Sequence, residues 1–315
     1  MTTQVEAAGG WVSAHLFHAG SLDALLAQVV APLVDELRGE LAGFFFLRYW
    51  EGGPHLRLRV RPDGGADAGR IRRLIERRAG AYFAGHPSAR GFQPADYQAL
   101  AAGLAGAERL ADHDGHLHPN DAVEFIAYVP EHRAYGGAAC VAAVEEHFTD
   151  SSRLALDLLA TGPDQGRRAA IGLAAFTLTV AACSPDLRAA ARALALRLRA
   201  TPVPPEVEEI FRREADGLLR QTRRFWDQPI PGPLAAWSSS IRTLRDRLTG
   251  LGAAPADAGS PAAFLARALE PDDPAVPYIL LRCTHLLHNR LGIAPAAENR
   301  LALLTLRAVA ALHER

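Results

Sequence analysis

At 315 residues the chain can bury a substantial core, as one large domain or two ordinary ones. Apolar residues make up 49% and charged residues 22%, which excludes wholesale disorder, and a net charge of -1 gives no global attraction to nucleic acid or an anionic membrane. Any affinity for anions must therefore be local. All 34 basic residues are arginine, which fits a GC-rich coding bias but also makes every cation a planar fork suited to carboxylates.

The three cysteines, Cys140, Cys183 and Cys283, are odd in number and far apart, which argues against a disulfide framework or a Cys-based zinc site. Met1 to Gly10 has no signal-peptide pattern, and the apolar stretch Ala169 to Cys183 is shorter than the roughly 20 residues that span a bilayer. The expectation is a cytoplasmic protein without membrane contact.

Trp11 to His18 alternates as a strand, and Leu22 to Leu37 has helical spacing behind the N-cap Ser21. Phe44 to Trp50 and Pro54 to Arg61 read as strands joined by the turn Glu51-Gly52-Gly53-Pro54. Helices follow at 68–83 and 96–111, then a strand over Ala122 to Val129. Beyond Gly137 only helices are expected, over 138–160, 167–183, 186–199, 204–227, 233–250, 261–269, 275–291 and 296–313, punctuated by Pro and Gly clusters. This gives an α+β fold: a small, mostly antiparallel N-terminal sheet with flanking helices, over 11–137, packed on a larger all-helical part, 138–315, as one integrated domain.

Two segments stand out chemically. In His55-Leu56-Arg57-Leu58-Arg59-Val60-Arg61, period-2 geometry puts His55 and the three arginines on one face and the aliphatics on the other. Three guanidiniums within about 14 Å of strand repel unless anions or acidic side chains separate them. A carboxylate ligand or a solvated face neutralised by Asp and Glu would each serve. Arg48 shares a strand face with Phe44 and Phe46, so it should be partly buried and paired. In the second segment, Arg282 to Arg290, a helix sets His285 beside Arg282, His288 and Asn289. A buried histidine among arginines would stay neutral and able to take a proton, although a satisfied core histidine is the simpler reading. No third ligand accompanies the His285/His288 pair, so no metal is expected. His116 and His118 read as part of a polar loop, and Tyr135-Gly136-Gly137 as a tight turn into a helix. Glycine-rich phosphate loops, serine elbows and H-E-x-x-H helices are absent from the sequence.

Phe44-Phe45-Phe46-Leu47-Arg48-Tyr49-Trp50 followed by Gly53-Pro54-His55-Leu56-Arg57-Leu58-Arg59 resembles a block of the C-terminal domain of lantibiotic dehydratases, which also occurs free-standing in thiopeptide-type bacteriocin biosynthesis. Trp11 to Leu26, Tyr128 to Gly137 and His285 to Gly292 agree with it in order and spacing. The resemblance implies a lyase that removes glutamate from glutamylated Ser or Thr of a ribosomal precursor peptide, leaving dehydroalanine or dehydrobutyrine. It implies catalytic Arg57, Arg59 and His285, and substrate-binding Arg48, Tyr49, His55, Arg133, Tyr135, Asn289 and Arg290. It further implies no cofactor, a separate tRNA-dependent glutamylating subunit as partner, no direct nucleic-acid contact, and leaves a homodimer open. One position departs. Eliminases resemble E-x-x-R-Y-G-G, whereas Glu131 to Gly137 puts Ala134 at the arginine position and Arg133 one residue before it. The alternative implied by the family is a thiopeptide pyridine synthase, which joins two dehydroalanines by formal [4+2] cycloaddition and ejects the leader peptide. A non-catalytic precursor-binding protein is a further class.

Overall fold

The computed structural model describes residues 10–89, 97, 98, 101, 116–255, 262–269 and 273–313. The fold is α+β, and the chain divides into two compact units, Met1–Val129 and Pro130–Arg315.

In the first unit, β1 (Val12–Phe17), β2 (Leu41–Tyr49), β3 (His55–Pro62) and β4 (Ala122–Phe125) form an antiparallel sheet in the order β2-β3-β1-β4. Its crossover helix runs as α1 (Leu22–Leu25), a π-helical Leu26–Val30, and α2 (Ala31–Glu36), started by the Ser21 hydroxyl accepting from the Ala24 N–H. Helix α3 (Ala68–Gly85) is capped by Asp67 and buries the stripe Ile71, Leu74, Ile75, Ala79, Tyr82 and Phe83. Ala14, Leu16, Phe44, Phe46, Leu56, Leu58 and Val60, all fully buried, form the apolar face of the sheet. Each large side chain buried there contributes about 1.5–3 kcal/mol. The β2–β3 hairpin closes through Gly52 and Gly53, at φ 79° and 113°. A Cβ on Gly52 would lie 2.5 Å from Cδ2 of His118, so this turn tolerates no side chain.

The strands agree with the sequence reading except at the end of β4. Alternation suggests a strand to Val129, yet pairing with β1 stops at Phe125, and Ile126 and Val129 are exposed. Apolar alternation alone does not make a ladder. The expected helix at 96–111 lies almost wholly outside the described residues.

The second unit is helical: α4 (His132–Tyr135), α5 (Ala138–Ala160), α6 (Gln165–Cys183), α7 (Leu187–Arg199), α8 (Pro205–Asp227), α9 (Pro233–Gly250), α10 (Ala263–Leu269), α11 (Ala275–Leu291) and α12 (Pro295–Ala310). Prolines open α8, α9 and α12, where the missing N–H costs nothing. Gly292, at φ 70°, ends α11 and turns the chain into α12. The middle of α6 is buried on all sides from Ala174 to Ala182, which explains its nearly continuous apolar sequence. No single helix among the described residues is long and apolar enough to cross a membrane. None of the three cysteines forms a disulfide among the described residues. Cys140 and Cys283 are buried, and burial pushes the Cys283 thiol up to about 12.

Candidate functional site

The second face of the sheet is polar, and its register follows from β1 lying between β3 and β4. Ser13 is opposite Arg59, His15 opposite Arg57, and Phe17 opposite His55. Glu124 flanks His15 from the other side, and Tyr49 flanks His55. Alternation in β3 therefore delivers His55, Arg57 and Arg59 to one face, as the sequence pattern requires.

Arg57 is held from three directions. Its guanidinium carbon is 3.4 Å from the Tyr49 ring centroid, Nη2 donates to Glu51 Oε2 at 3.1 Å, and Nε donates to His55 Nε2 at 3.4 Å. Because His55 accepts at Nε2, its Nδ1–H is the donor to the Gly53 carbonyl at 2.8 Å. His55 is fully buried, and that burial, opposed by the Gly53 carbonyl but reinforced by Arg57 and Arg59, brings its pKa down to about 3. His15 stacks on His55 at 4.9 Å, and burial, His55 and the two guanidiniums bring it down to about 2. Both imidazoles are neutral at physiological pH. Arg59 is buried, its guanidinium 5.3 Å from the Tyr128 ring and 5.8 Å from the Phe45 ring. The face is thus a patch of forks and neutral rings, with Glu51 as the carboxylate on Arg57.

Arg48 is elsewhere. It lies on the apolar face, 16% exposed, with Nη2 donating to Asp23 of α1 at 2.5 Å. Partial burial and pairing were expected of it, but its guanidinium is not on the face that carries Arg57 and Arg59. His118, read from sequence as part of a polar loop, stacks on Phe17 at 4.6 Å and bonds Glu124 at 2.8 Å.

In the helical unit the centre is Glu298, 2% exposed on α12. Its Oε2 accepts from His285 Nδ1 at 2.8 Å, and its Oε1 lies 3.2 Å from His288 Nδ1. Burial works to raise the Glu298 pKa, but the two histidines outweigh it and hold the carboxyl at about 2. His288 is fully buried, with Nε2 donating to the Gly172 carbonyl at 3.1 Å, whereas His285 keeps a third of its side chain exposed. The sequence argument set His285 among arginines. The α11–α12 turn instead brings it a carboxylate, which fixes Nδ1 and leaves Nε2 to exchange a proton.

Arg290 is fully buried, with Nη1 donating to Ser151 Oγ at 3.1 Å and the guanidinium 5.1 Å from the Phe148 ring. Tyr135 packs edge-on against the same Phe148 at 5.8 Å, and burial holds its phenol protonated. Asn289 is half-buried. Glu131 to Gly137 contains the one-turn helix α4. Its geometry exposes Arg133 and buries Ala134 at 7%. Gly136, at φ 83°, ends that turn where a Cβ would sit 2.9 Å from the Ala254 amide nitrogen, the close approach that the Gly-Gly pair suggests.

Sequence reasoning missed His15, Glu51 and Glu298. Alternation in W-x-S-x-H could have placed His15 on a face, but the row it shares with Arg57 depends on a long-range register. Among the described residues, no group of three or more His, Cys, Asp or Glu side chains is arranged to hold a metal.

An α+β protein with an arginine- and imidazole-lined sheet face and a carboxylate-paired histidine is the class that these features define. The family model for the lantibiotic biosynthesis dehydratase C-terminal domain matches residues 11–309, and the chain belongs to that family. The fold is similar to that of TbtD, the pyridine synthase from thiomuracin biosynthesis, with a TM-score of 0.70 and 20% identity over 96% of this chain and 99% of that one. It is also similar to TsrL, with a TM-score of 0.63 and 20% identity over 95% and 93% of the two chains. The tRNA-dependent lantibiotic dehydratase MibB from Microbispora sp. 107891 matches with a TM-score of 0.51 and 18% identity over 98% of this chain but 28% of its own. No curated protein sequence matches the chain.

Proposed function

We propose that this protein is a pyridine-synthase-type enzyme acting on a dehydroalanine-containing ribosomal precursor peptide. The observation that carries the choice over glutamate elimination is the Glu131–Gly137 turn, where Ala134 is buried at the position eliminases fill with arginine and Arg133 is exposed. An eliminase needs cationic stabilisation of a glutamyl carboxylate as it departs, and this turn has no cation at that position, its arginine lying one residue earlier and turned to solvent. The fold likeness to TbtD, which extends over nearly all of both chains, supports the same reading.

A six-membered nitrogen ring closes from two dehydroalanines only if one of them, through its amide in the imidic-acid form, offers the four-atom unit C=C–N=C. Two C–C bonds close the ring, each terminal carbon of that unit joining one alkene carbon of the other dehydroalanine; loss of water from the former imidic-acid carbon, and of the leader as a carboxamide from the other ring carbon that bears nitrogen, then yields the aromatic ring. The protein's tasks are to shift protons on amides and to hold the two alkenes in register. His285, oriented by Glu298, is the group proposed to move a proton, with Arg57 and Arg59 proposed to bind planar acyl oxygens. A separate dehydratase system would supply the dehydroalanines.

Glutamate elimination is the second reading, favoured by the retention of Arg57, Arg59 and the His285–Glu298 pair. Mass spectrometry of two peptides decides. A dehydroalanine-containing precursor should lose its leader and gain the ring absorbance of a pyridine, with His285→Ala slowed by about 100-fold or more. If that peptide is unchanged while a glutamylated one loses its glutamate, elimination replaces cycloaddition. If both are bound and neither is altered, the protein is a carrier.

A further inference from the structure

The proposed reaction gives no task to His288, which is fully buried on α11 three residues beyond His285. Both of its ring nitrogens meet oxygen. Nε2 lies 3.1 Å from the Gly172 carbonyl of α6, and Nδ1 lies 3.2 Å from Glu298 Oε1 of α12. Neither Nδ1 nor Oε1 has any other partner among the described residues.

The placement is fixed from α6. Thr284 Oγ1 meets Thr179 Oγ1 at 2.8 Å, and Arg168 Nη1 donates to the Leu291 carbonyl at 2.7 Å, so α11 is held on either side of His288. Phe176 closes edge-on over the imidazole at 4.6 Å. Gly172 allows the approach, since a Cβ there would lie 3.1 Å from His288 Nε2 and 2.8 Å from Ile293 Cδ1.

A neutral imidazole has one N–H and one lone pair. With the proton on Nδ1, the Nε2 lone pair would face a carbonyl oxygen. With the proton on Nε2, the Nδ1 lone pair would face a carboxylate. Each arrangement sets two acceptors against each other inside the protein, where an unmet acceptor is most costly. The doubly protonated ring gives both oxygens a donor. A proton on Glu298 Oε1 would also relieve the contact, but the carboxyl is held at about 2. Among the described residues, Glu298 is the one carboxylate in contact with either histidine. Arg168, Arg282 and Arg290 are engaged on the Leu291 carbonyl, Glu131 and Ser151, and His147 of α5 is bonded to Ser240.

One carboxylate thus serves two imidazoles, and one cation balances it. We propose that His288 is a positioning residue that stays protonated: as an imidazolium it neutralises Glu298, so that His285, on the other carboxylate oxygen, stays neutral with Nε2 able to take a proton. The consequence for rate rests on the reading of His285 as the proton carrier, whereas the protonation pattern stands by itself.

Neutron diffraction from crystals of the perdeuterated protein at pH 7 locates these protons. Deuterium is expected on both nitrogens of His288, on Nδ1 alone of His285, and on neither oxygen of Glu298. A single deuterium on the His288 ring, or one on Glu298, would overturn the proposal whatever the protein catalyses. A second arm uses His288→Gln, which keeps an N–H donor but removes the charge. With a peptide that the unaltered enzyme converts, the acid limb of kcat/KM should move to higher pH by about one unit, because Glu298 then favours a proton on His285. An acid limb that stays in place while kcat falls at every pH would make His288 purely structural and overturn the proposal. The neutron result decides alone if His288→Gln does not fold or if no peptide is converted.

Discussion

The molecule handles buried histidine in two opposite ways. On the sheet, His15 and His55 sit among arginines, and burial with neighbouring positive charge keeps them neutral, at about 2 and 3. In the helical unit, His285 and His288 share the carboxylate of Glu298, whose own pKa is held at about 2. The same side chain is a neutral ring in one region and a hydrogen-bond partner of an anion in the other. Neighbouring charge sets the role, and spacing along the chain does not reveal it.

Acid should separate the two regions, with the largest expected effect. A histidine whose folded pKa lies below its unfolded value of 6.5 binds fewer protons when folded, so stability falls as pH drops below 6.5 and keeps falling toward the folded pKa. On the sheet, His15 and His55 each contribute a limiting slope of about 1.4 kcal/mol per pH unit. Denaturant unfolding between pH 7 and 5 should show that loss, and His15→Phe should remove one histidine's share. An unchanged slope in the variant would mean that His15 is not neutral in the fold.

Breaking the anionic region comes next. Glu298→Ala leaves two imidazoles without their carboxylate and should cost about 3–5 kcal/mol, with Glu298→Gln costing less. Glu298 is depressed from 4.5 to about 2, so its contribution is complete above pH 4.5 and is lost as pH falls toward 2. Acid unfolding of Glu298→Gln should therefore lack the portion below pH 4.5. A smaller effect is expected at Gly136, where alanine meets both positive φ and the Ala254 amide. Gly136→Ala should lower stability by about 1–2 kcal/mol. Least of all, Arg38→Ala, which breaks a surface pair with Asp35, should change the unfolding free energy by less than about 1 kcal/mol, read by denaturant titration.

Much of the fold was legible because its punctuation is local. Pro205, Pro233 and Pro295 mark helix starts, Gly292 marks an end, and the alternation in 55–61 fixes which side chains share a face. Arg48 could be expected to be buried and paired from the company of Phe44 and Phe46. What escaped was long-range. Glu298 reaches His285 only because Gly292 folds α12 back along α11, and His15 meets Arg57 only through β1–β3 register. The orientation of Arg133 escaped because the residues before Gly136 form a single helical turn, too short to leave a periodic pattern. The overrun of β4 escaped as well, because β4 leaves the ladder after Phe125 although β1 runs on to Val12, and alternation does not show where pairing stops.

The thiols provide a clock. Cys283 is fully buried on α11 with its pKa raised to about 12, so in the closed protein it has almost no thiolate with which to react. Half-buried Cys183 serves as the internal reference on α6. Alkylation of Cys283 must wait for α11 to open, and the ratio of its labelling rate to that of a free thiol reads the opening equilibrium directly. Because α11 also carries His285, the same trace, taken with and without a bound peptide, would report how firmly substrate clamps the helix that holds the proposed proton carrier.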